Sequence, residues 1–176
     1  SQGGVRGGSA TVFYPIWHYD VEKLLVLKNN RGVEENRVRH MDYGVQLSGI
    51  LYQRLIDNKP ITLFSPHEVT DLYGSFFSNS ALFDRLYEKY EKDPNIRFKK
   101  QVSAVDLFGS LVNERASTGR IYIQNVDNCN KQGPFISEVA PIKQSNLCLE
   151  VALPTKPMGT PEEEIALCTL AAFNLG

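Results

Sequence analysis

Apolar and polar positions alternate along the chain in short blocks, and the period changes from block to block. Ala10 to Pro15 (ATVFYP) follows a glycine-rich opening and is dense in β-formers, so a strand is expected there. Val21, Leu24 and Leu25 then mark the apolar face of a helix, with Asn30, Arg31 and Gly32 as its stop. Over Asp42 to Asp57, Tyr43, Leu47, Ile50, Leu51 and Leu55 recur at helical spacing and predict a second, amphipathic helix. Ile61 to Phe64, bounded by Pro60 and Ser65-Pro66, reads as a buried strand.

The clearest helix runs from Ser80 to Lys92. Leu82, Phe83, Leu86, Tyr87 and Tyr90 share a face, polar caps precede them and Pro94 follows. Val102, Val105, Phe108 and Val112 predict a further helix that Gly119 ends, and Arg120 to Val126 alternates like a strand. A Gly/Pro/Asn-containing connection spans Cys129 to Gln144. Two apolar runs, Asn146 to Leu153 and Ile165 to Phe173, then flank the loop Pro154 to Glu164, and both are expected as buried strands. Strands alternating with helices, without an internal repeat, make the class α/β; periodicity does not separate a barrel from an open sheet.

Composition narrows the function classes. The 176 residues are 42% hydrophobic and 10% aromatic, enough for one folded domain over 1–176. With 19 basic and 20 acidic side chains well mixed, the net charge of -1 offers no general attraction to nucleic acid or to a membrane surface. No apolar run approaches bilayer length. The start at Ser1 carries no secretory leader, and the stop follows an apolar run, so the chain reads as a segment truncated at both ends. Three widely separated cysteines, Cys129, Cys148 and Cys168, with no CxxC or Cys/His spacing, give no metal site and point to a reducing, cytoplasmic compartment.

The chemistry-bearing residues are few. In Ser145-Asn146-Leu147-Cys148-Leu149-Glu150, an extended backbone would place Asn146, Cys148 and Glu150 on one face. An amide, a thiol and a carboxylate would then converge, able to orient a hydroxyl, carry a hydrogen atom or attack, and accept a proton. The same pattern fits a free cysteine filling a small hole beside a hydrogen-bonded Asn/Glu pair. Cys168, in the apolar run Ile165 to Leu170, is either inert core or a reducing thiol. Cys129 stands in a polar, turn-like stretch and receives no role. His18, His40 and His67 lack ligand spacing and fit structural hydrogen-bonding roles. Arg31, Arg37 and Arg39 with His40 form a basic cluster, but Glu34, Glu35 and Asp42 beside it make an ion-paired face the simpler reading. The opening Gln2 to Gly8 sets one arginine among glycines, either a flexible linker or a loop whose guanidinium reaches a ligand; it lacks the phosphate-loop lysine.

Taken together, six blocks resemble the large, catalytic subunit of class I ribonucleotide reductases. They are SQGGVRGG (Ser1 to Gly8), LLVLKNNRGVEENRVRHMDYGVQ (Leu24 to Gln46), ITLFSPHEV (Ile61 to Val69), ERASTGRIYIQNVD (Glu114 to Asp127), QSNLCLEVALPTKP (Gln144 to Pro157) and EIALCTLAAFNLG (Glu164 to Gly176). The resemblance runs from end to end.

It implies part of a ten-stranded α/β barrel whose central finger loop carries the radical cysteine, here Cys148. By that resemblance Cys148, as a thiyl radical, abstracts the ribose 3′ hydrogen, Glu150 takes the 3′-hydroxyl proton and Asn146 holds the ribose hydroxyls. Cys168 matches one of two thiols that supply reducing equivalents; its partner lies upstream in the family. Gln2 and Arg6 match a loop that carries effector information to the substrate base. The resemblance further implies a ribonucleoside diphosphate substrate, a metal-containing small subunit as radical source, a thioredoxin or glutaredoxin reductant, ATP and deoxynucleotide effectors, and a homodimer of the full-length subunit. No metal or cofactor is expected in this chain. Two other readings remain: a cobalamin-dependent or glycyl-radical relative with the same barrel, and a non-catalytic piece of a split subunit that works only after assembly.

Overall fold

The computed structural model describes residues 3–5, 7–29 and 33–176. Strand β1 (Thr11–Pro15) pairs in parallel with β2 (Asp42–Leu47), from Thr11↔Asp42 to Pro15↔Gln46. β2 pairs in parallel with β5 (Ile121–Asn125), so β2 lies at the centre of a β1-β2-β5 sheet. A second sheet joins β3 (Pro60–Phe64) antiparallel to β4 (Lys99–Ser103). The chain just past β1 runs alongside the end of β3: Phe64 N donates to Trp17 O (2.8 Å) and Tyr19 N to Phe64 O (2.8 Å). The two sheets are thereby joined through backbone.

Among the described residues six α-helices accompany them: α1 (Val21–Leu25), α2 (Gly49–Ile56), α3 (Thr70–Ser78), α4 (Ser80–Lys92), α5 (Ala104–Thr118) and α6 (Val126–Lys131). Their ends follow local chemistry. Asn79 Oδ1 accepts from Leu82 N (2.9 Å) to cap α4, and Ser103 Oγ accepts from Asp106 N (3.2 Å) to cap α5. Gly119 closes α5 in the left-handed region at φ 65°, as its position in the sequence implies.

The core forms where helix faces meet strands. Trp17, Phe64, Phe76, Phe83 and Tyr87 are fully or almost fully buried. Trp17 meets Phe76 edge-on with centroids 5.7 Å apart, and Phe64 meets Tyr87 likewise at 5.6 Å. Each such side chain contributes roughly 1.5–3 kcal/mol by leaving water. Within this core the Tyr87 hydroxyl donates to Thr62 O (2.7 Å) and accepts from Thr62 N (2.8 Å), whereas Trp17 Nε1 is buried without a hydrogen-bond partner.

The α/β class and the elements at β1, α1, β3, α4, α5 and β5 agree with the sequence reading. The expected stop of α1 at Asn30, Arg31 and Gly32 lies outside the described residues. Four expectations are corrected. The helix expected over Asp42 to Asp57 is β2 followed by α2, because Tyr43, Val45 and Leu47 sit on a central strand buried on both faces and Ser48 breaks the run. Val102 belongs to β4 rather than to the helix after it, and Cys129 stands on α6. The two apolar runs expected as buried strands, Asn146 to Leu153 and Ile165 to Phe173, form no strand. A strand needs a partner for its backbone groups, and among the described residues neither run pairs with a strand; the isolated Lys156↔Glu164 bridge lies in the loop between them. Ile165, Leu167, Leu170 and Phe173 are instead exposed.

Candidate functional site

The segment that delivers the cysteine loop is anchored by buried amides. Gln46 on β2 and Gln124 on β5 are each 1% exposed and sit opposite each other in register. Gln46 Nε2 donates to Gln124 Oε1 (2.9 Å) and to Lys143 O (2.5 Å). One turn into α6, Asn130 reads the same segment: its Oδ1 accepts from Ile142 N (2.8 Å) and its Nδ2 donates to Ile142 O (3.0 Å). The central strand β2, its neighbour β5 and helix α6 therefore hold residues 142–143 in place. Sequence reasoning singled out none of these three residues, although a glutamine inside each of the runs YGVQL and IYIQN is a polar group that burial obliges to pair.

Beyond this anchor the chain makes a tight loop. Asn146 N donates to Val151 O (3.1 Å), and Val151 N donates back to Asn146 Oδ1 (3.0 Å). Ser145 Oγ also donates to Val151 O (2.7 Å), and Leu149 N to Asn146 O (3.2 Å). Leu149 sits at φ 68°, a conformation costing a non-glycine residue of order 1–2 kcal/mol. Cys148, between these clamps, is an exposed free thiol; Glu150 is exposed and Asn146 half-buried. The extended alternation that would set Asn146, Cys148 and Glu150 on one face is replaced by a turn, because Asn146 closes the loop on Val151.

Cys168 lines a cleft of about 140 Å³ together with Gln144, Asn146, Val151 and Ala166. The structure thus brings Asn146 and Cys168 to one concavity, while Cys148 and Glu150 are not among its lining residues. Cys168 is exposed rather than core. A half-buried amide in a small cleft can hydrogen-bond a hydroxylated ligand and an exposed thiol there can supply one reducing equivalent; a carboxylate and a second thiol stand on the adjoining loop. Gln2 and Arg6 lie outside the described residues.

Elsewhere, of the basic cluster Arg31 lies outside the described residues, Arg37 Nε donates to Asn29 Oδ1 (2.9 Å) and Arg39 forms an ion pair with Glu34. Among the described residues no group of three or more His, Cys, Asp or Glu side chains is arranged to hold a metal ion, and no helix is long and apolar enough to cross a membrane.

The family model of the ribonucleotide reductase barrel domain matches residues 1–176. The chain belongs to this family. A ribonucleoside-diphosphate reductase subunit alpha from Haemophilus influenzae is 65% identical over 179 aligned residues, which cover 100% of this chain and 24% of that subunit. A ribonucleoside-diphosphate reductase 1 subunit alpha from Escherichia coli is 65% identical over 158 residues, covering 90% of the chain and 21% of the relative. The plant relative from Arabidopsis thaliana, a ribonucleoside-diphosphate reductase large subunit, is 34% identical over 98% of the chain and 20% of its own length. The chain therefore spans about a quarter, or less, of the curated ribonucleotide reductase subunits it matches.

Proposed function

We propose that these residues form the part of a ribonucleoside-diphosphate reductase large subunit that carries the thiyl-radical cysteine, and that the complete subunit makes deoxyribonucleotides for DNA synthesis. The observation that carries the reading is the convergence of Asn146 and Cys168 on one cleft beside the clamped Cys148 loop, in a chain whose whole length matches the family. The complete barrel is ten-stranded, and the 146–151 loop is its central finger.

In this reading a metal-containing small subunit supplies the oxidising equivalent that removes a hydrogen atom from the Cys148 thiol. The Cys148 thiyl radical then takes the 3′ hydrogen of a ribonucleoside diphosphate, reforming its S–H bond. Glu150 accepts the 3′-hydroxyl proton, and Asn146 orients the ribose hydroxyls. The radical beside a deprotonating hydroxyl loosens the 2′ C–O bond, and the 2′-hydroxyl leaves as water. Cys168 and a second cysteine from elsewhere in the subunit deliver two electrons and two protons and end as a disulfide. Cys148 returns the hydrogen atom to the 3′ carbon while Glu150 returns its proton to the 3′ oxygen, and Cys148 is again a radical. A thioredoxin or glutaredoxin restores the dithiol.

Gln2 and Arg6 sense effector and substrate base in a homodimeric full-length subunit regulated by ATP and deoxynucleotides, acting in the cytoplasm. The chain itself binds no metal. The exposed apolar stretch from Ile165 to Leu175 favours a role that requires assembly with the remaining subunit, so the chain alone does not turn over. Dithiol-driven reduction of a ribonucleoside diphosphate by the complete subunit and its small subunit tests the assignment. Loss of activity in Cys148→Ser with unchanged circular dichroism supports it, and undiminished activity rejects it.

A further inference from the structure

Helix α5 carries a glutamate where its apolar face should continue. Glu114 falls at i+3 from Leu111 and i+7 from Leu107, both buried, and the helix takes its side chain inward with them. Glu114 is 5% exposed, and its Oε2 is buried with no hydrogen-bond partner. A buried carboxylate oxygen without a donor is costly, so a hydrogen-bond donor that reached it would be strongly stabilised.

Glu114 is among the residues that line a cleft of about 370 Å³ between α1 and α5. Its walls divide by chemistry. Leu25, Val26 and Leu107 present aliphatic surface, whereas Asp106, Ser110 and Glu114 present oxygen acceptors along one side of α5. Glu22 at the rim already pairs with Lys100 (2.5 Å), but no cation among the described residues reaches Asp106 or Glu114.

We propose that this cleft takes an alkylguanidinium group, the side chain of an arginine from polypeptide outside this chain. Its aliphatic stem lies on Leu25, Val26 and Leu107, and its planar fork of N–H donors meets the Glu114 carboxylate and the Ser110 and Asp106 oxygens. Guanidinium is favoured over ammonium because it is weakly hydrated and pairs with carboxylate in plane, which suits a half-apolar cleft. Since the chain spans only 24% of its Haemophilus relative, much of the subunit remains to pack on this domain, and the cleft is a keyed position for it. The inference stands apart from the radical chemistry and from every residue of the cysteine loop.

The test is titration of the isotopically labelled chain with ethylguanidinium, followed by amide shifts, with ethylurea as uncharged isostere and magnesium ion as a second cation. Expected are saturable shifts confined to α1 and the Asp106 to Glu114 face, absent with ethylurea and with magnesium. Glu114→Gln should weaken binding by about ten-fold, the worth of one charge-assisted hydrogen bond, and Asp106→Asn by about two- to three-fold. Circular dichroism confirms that each variant is folded; should Glu114→Gln unfold, the ethylguanidinium-against-ethylurea comparison on the wild-type chain decides alone. No saturable shift in the folded wild type, equal binding of ethylurea, or unchanged affinity in folded Glu114→Gln would overturn the proposal. Magnesium binding at the same amides would overturn it by assigning the site to a metal ion.

Discussion

Removing the single hydroxyl oxygen of Tyr87 should destabilise the fold well beyond its size. Tyr87 on α4 is fully buried, and its hydroxyl satisfies both backbone groups of Thr62, a residue 1% exposed on β3. The bonds to Thr62 O and from Thr62 N are 2.7 and 2.8 Å. Around them Thr62 Oγ1 donates to Glu91 Oε1 (2.7 Å), Arg54 pairs with Glu91 (2.6 Å), and the guanidinium lies 5.6 Å from the Tyr87 ring centre. Phenylalanine fills the same volume, so Tyr87→Phe leaves no cavity. What it leaves is one buried N–H and one buried C=O without partners, each costing about 1–3 kcal/mol. The sum is about 3 kcal/mol, or a fall in Tm of roughly 6–12 °C for a domain of this size. Urea unfolding followed by circular dichroism measures it, with the slope of the transition expected unchanged. Tyr52→Phe is the matched control: its hydroxyl donates to Asn125 Oδ1 (2.6 Å) at an exposed position, and its loss should cost under about 1 kcal/mol. A loss below about 1 kcal/mol for Tyr87→Phe, or one no larger than for Tyr52→Phe, would refute the reasoning.

Three further outcomes follow from particular contacts. A Cβ at Gly44 would strike the ring of Phe13, its register partner on β1, so Gly44→Ala should destabilise by about 1–3 kcal/mol in the same urea assay, whereas an unchanged midpoint would show that the Phe13 ring yields freely. Burial lowers the His18 pKa despite the raising influence of Asp20, and its Nδ1 accepts from Asp20 N (3.1 Å). The unfolded chain therefore binds the proton more readily, so this contribution is complete above about pH 6.5 and is lost as pH falls towards the folded pKa. His18→Gln should flatten the stability profile over that window, and an unaltered slope would assign the pH dependence elsewhere. Asn146→Ala removes the acceptor for Val151 N, and hydrogen exchange at that amide should quicken by about five-fold or more for a loss near 1 kcal/mol. An unchanged rate would mean that the loop is held by its other bonds.

Much of the frame is legible in the residue pattern, and the failures have physical causes. The α4 and α5 helices show because their stripes, caps and the Gly119 stop all agree. Helix α3 (TDLYGSFFS) escapes notice because Gly74 and Ser75 interrupt its stripe; packing of Phe76 on Trp17 supplies what propensity withholds. Strand β4 (KKQVS) is polar, a pairing imposed by β3 rather than announced by its own residues. In β2 and α2, Leu47 ends one period and begins the other, so two elements look like one helix. The apolar runs around Cys148 and Cys168 carry a strand pattern, yet pattern without a paired neighbour leaves Leu167 and Leu170 in solvent.

At the site, residue types alone left Cys148 and Cys168 open between core and chemistry, and the family resemblance was needed to choose. The structure adds what neither supplied: the buried Gln46–Gln124 pair and Asn130, which fix the approach to the loop, and the Asn146 clamp that closes it. Asn146 thereby has a structural task before any role towards a ligand.

The central claim is that Cys148 starts the reaction and Cys168 reduces its product, and 3′-tritiated ribonucleoside diphosphate tests both at once. In the complete subunit with its small subunit, Cys148→Ser is expected to abolish 3′ C–H cleavage and deoxynucleotide formation together. Cys168→Ser should still cleave the 3′ C–H bond, seen as tritium release, while failing to form deoxynucleotide through repeated turnovers. Tritium release that persists in a folded Cys148→Ser variant would contradict the account, as would sustained deoxynucleotide production by Cys168→Ser.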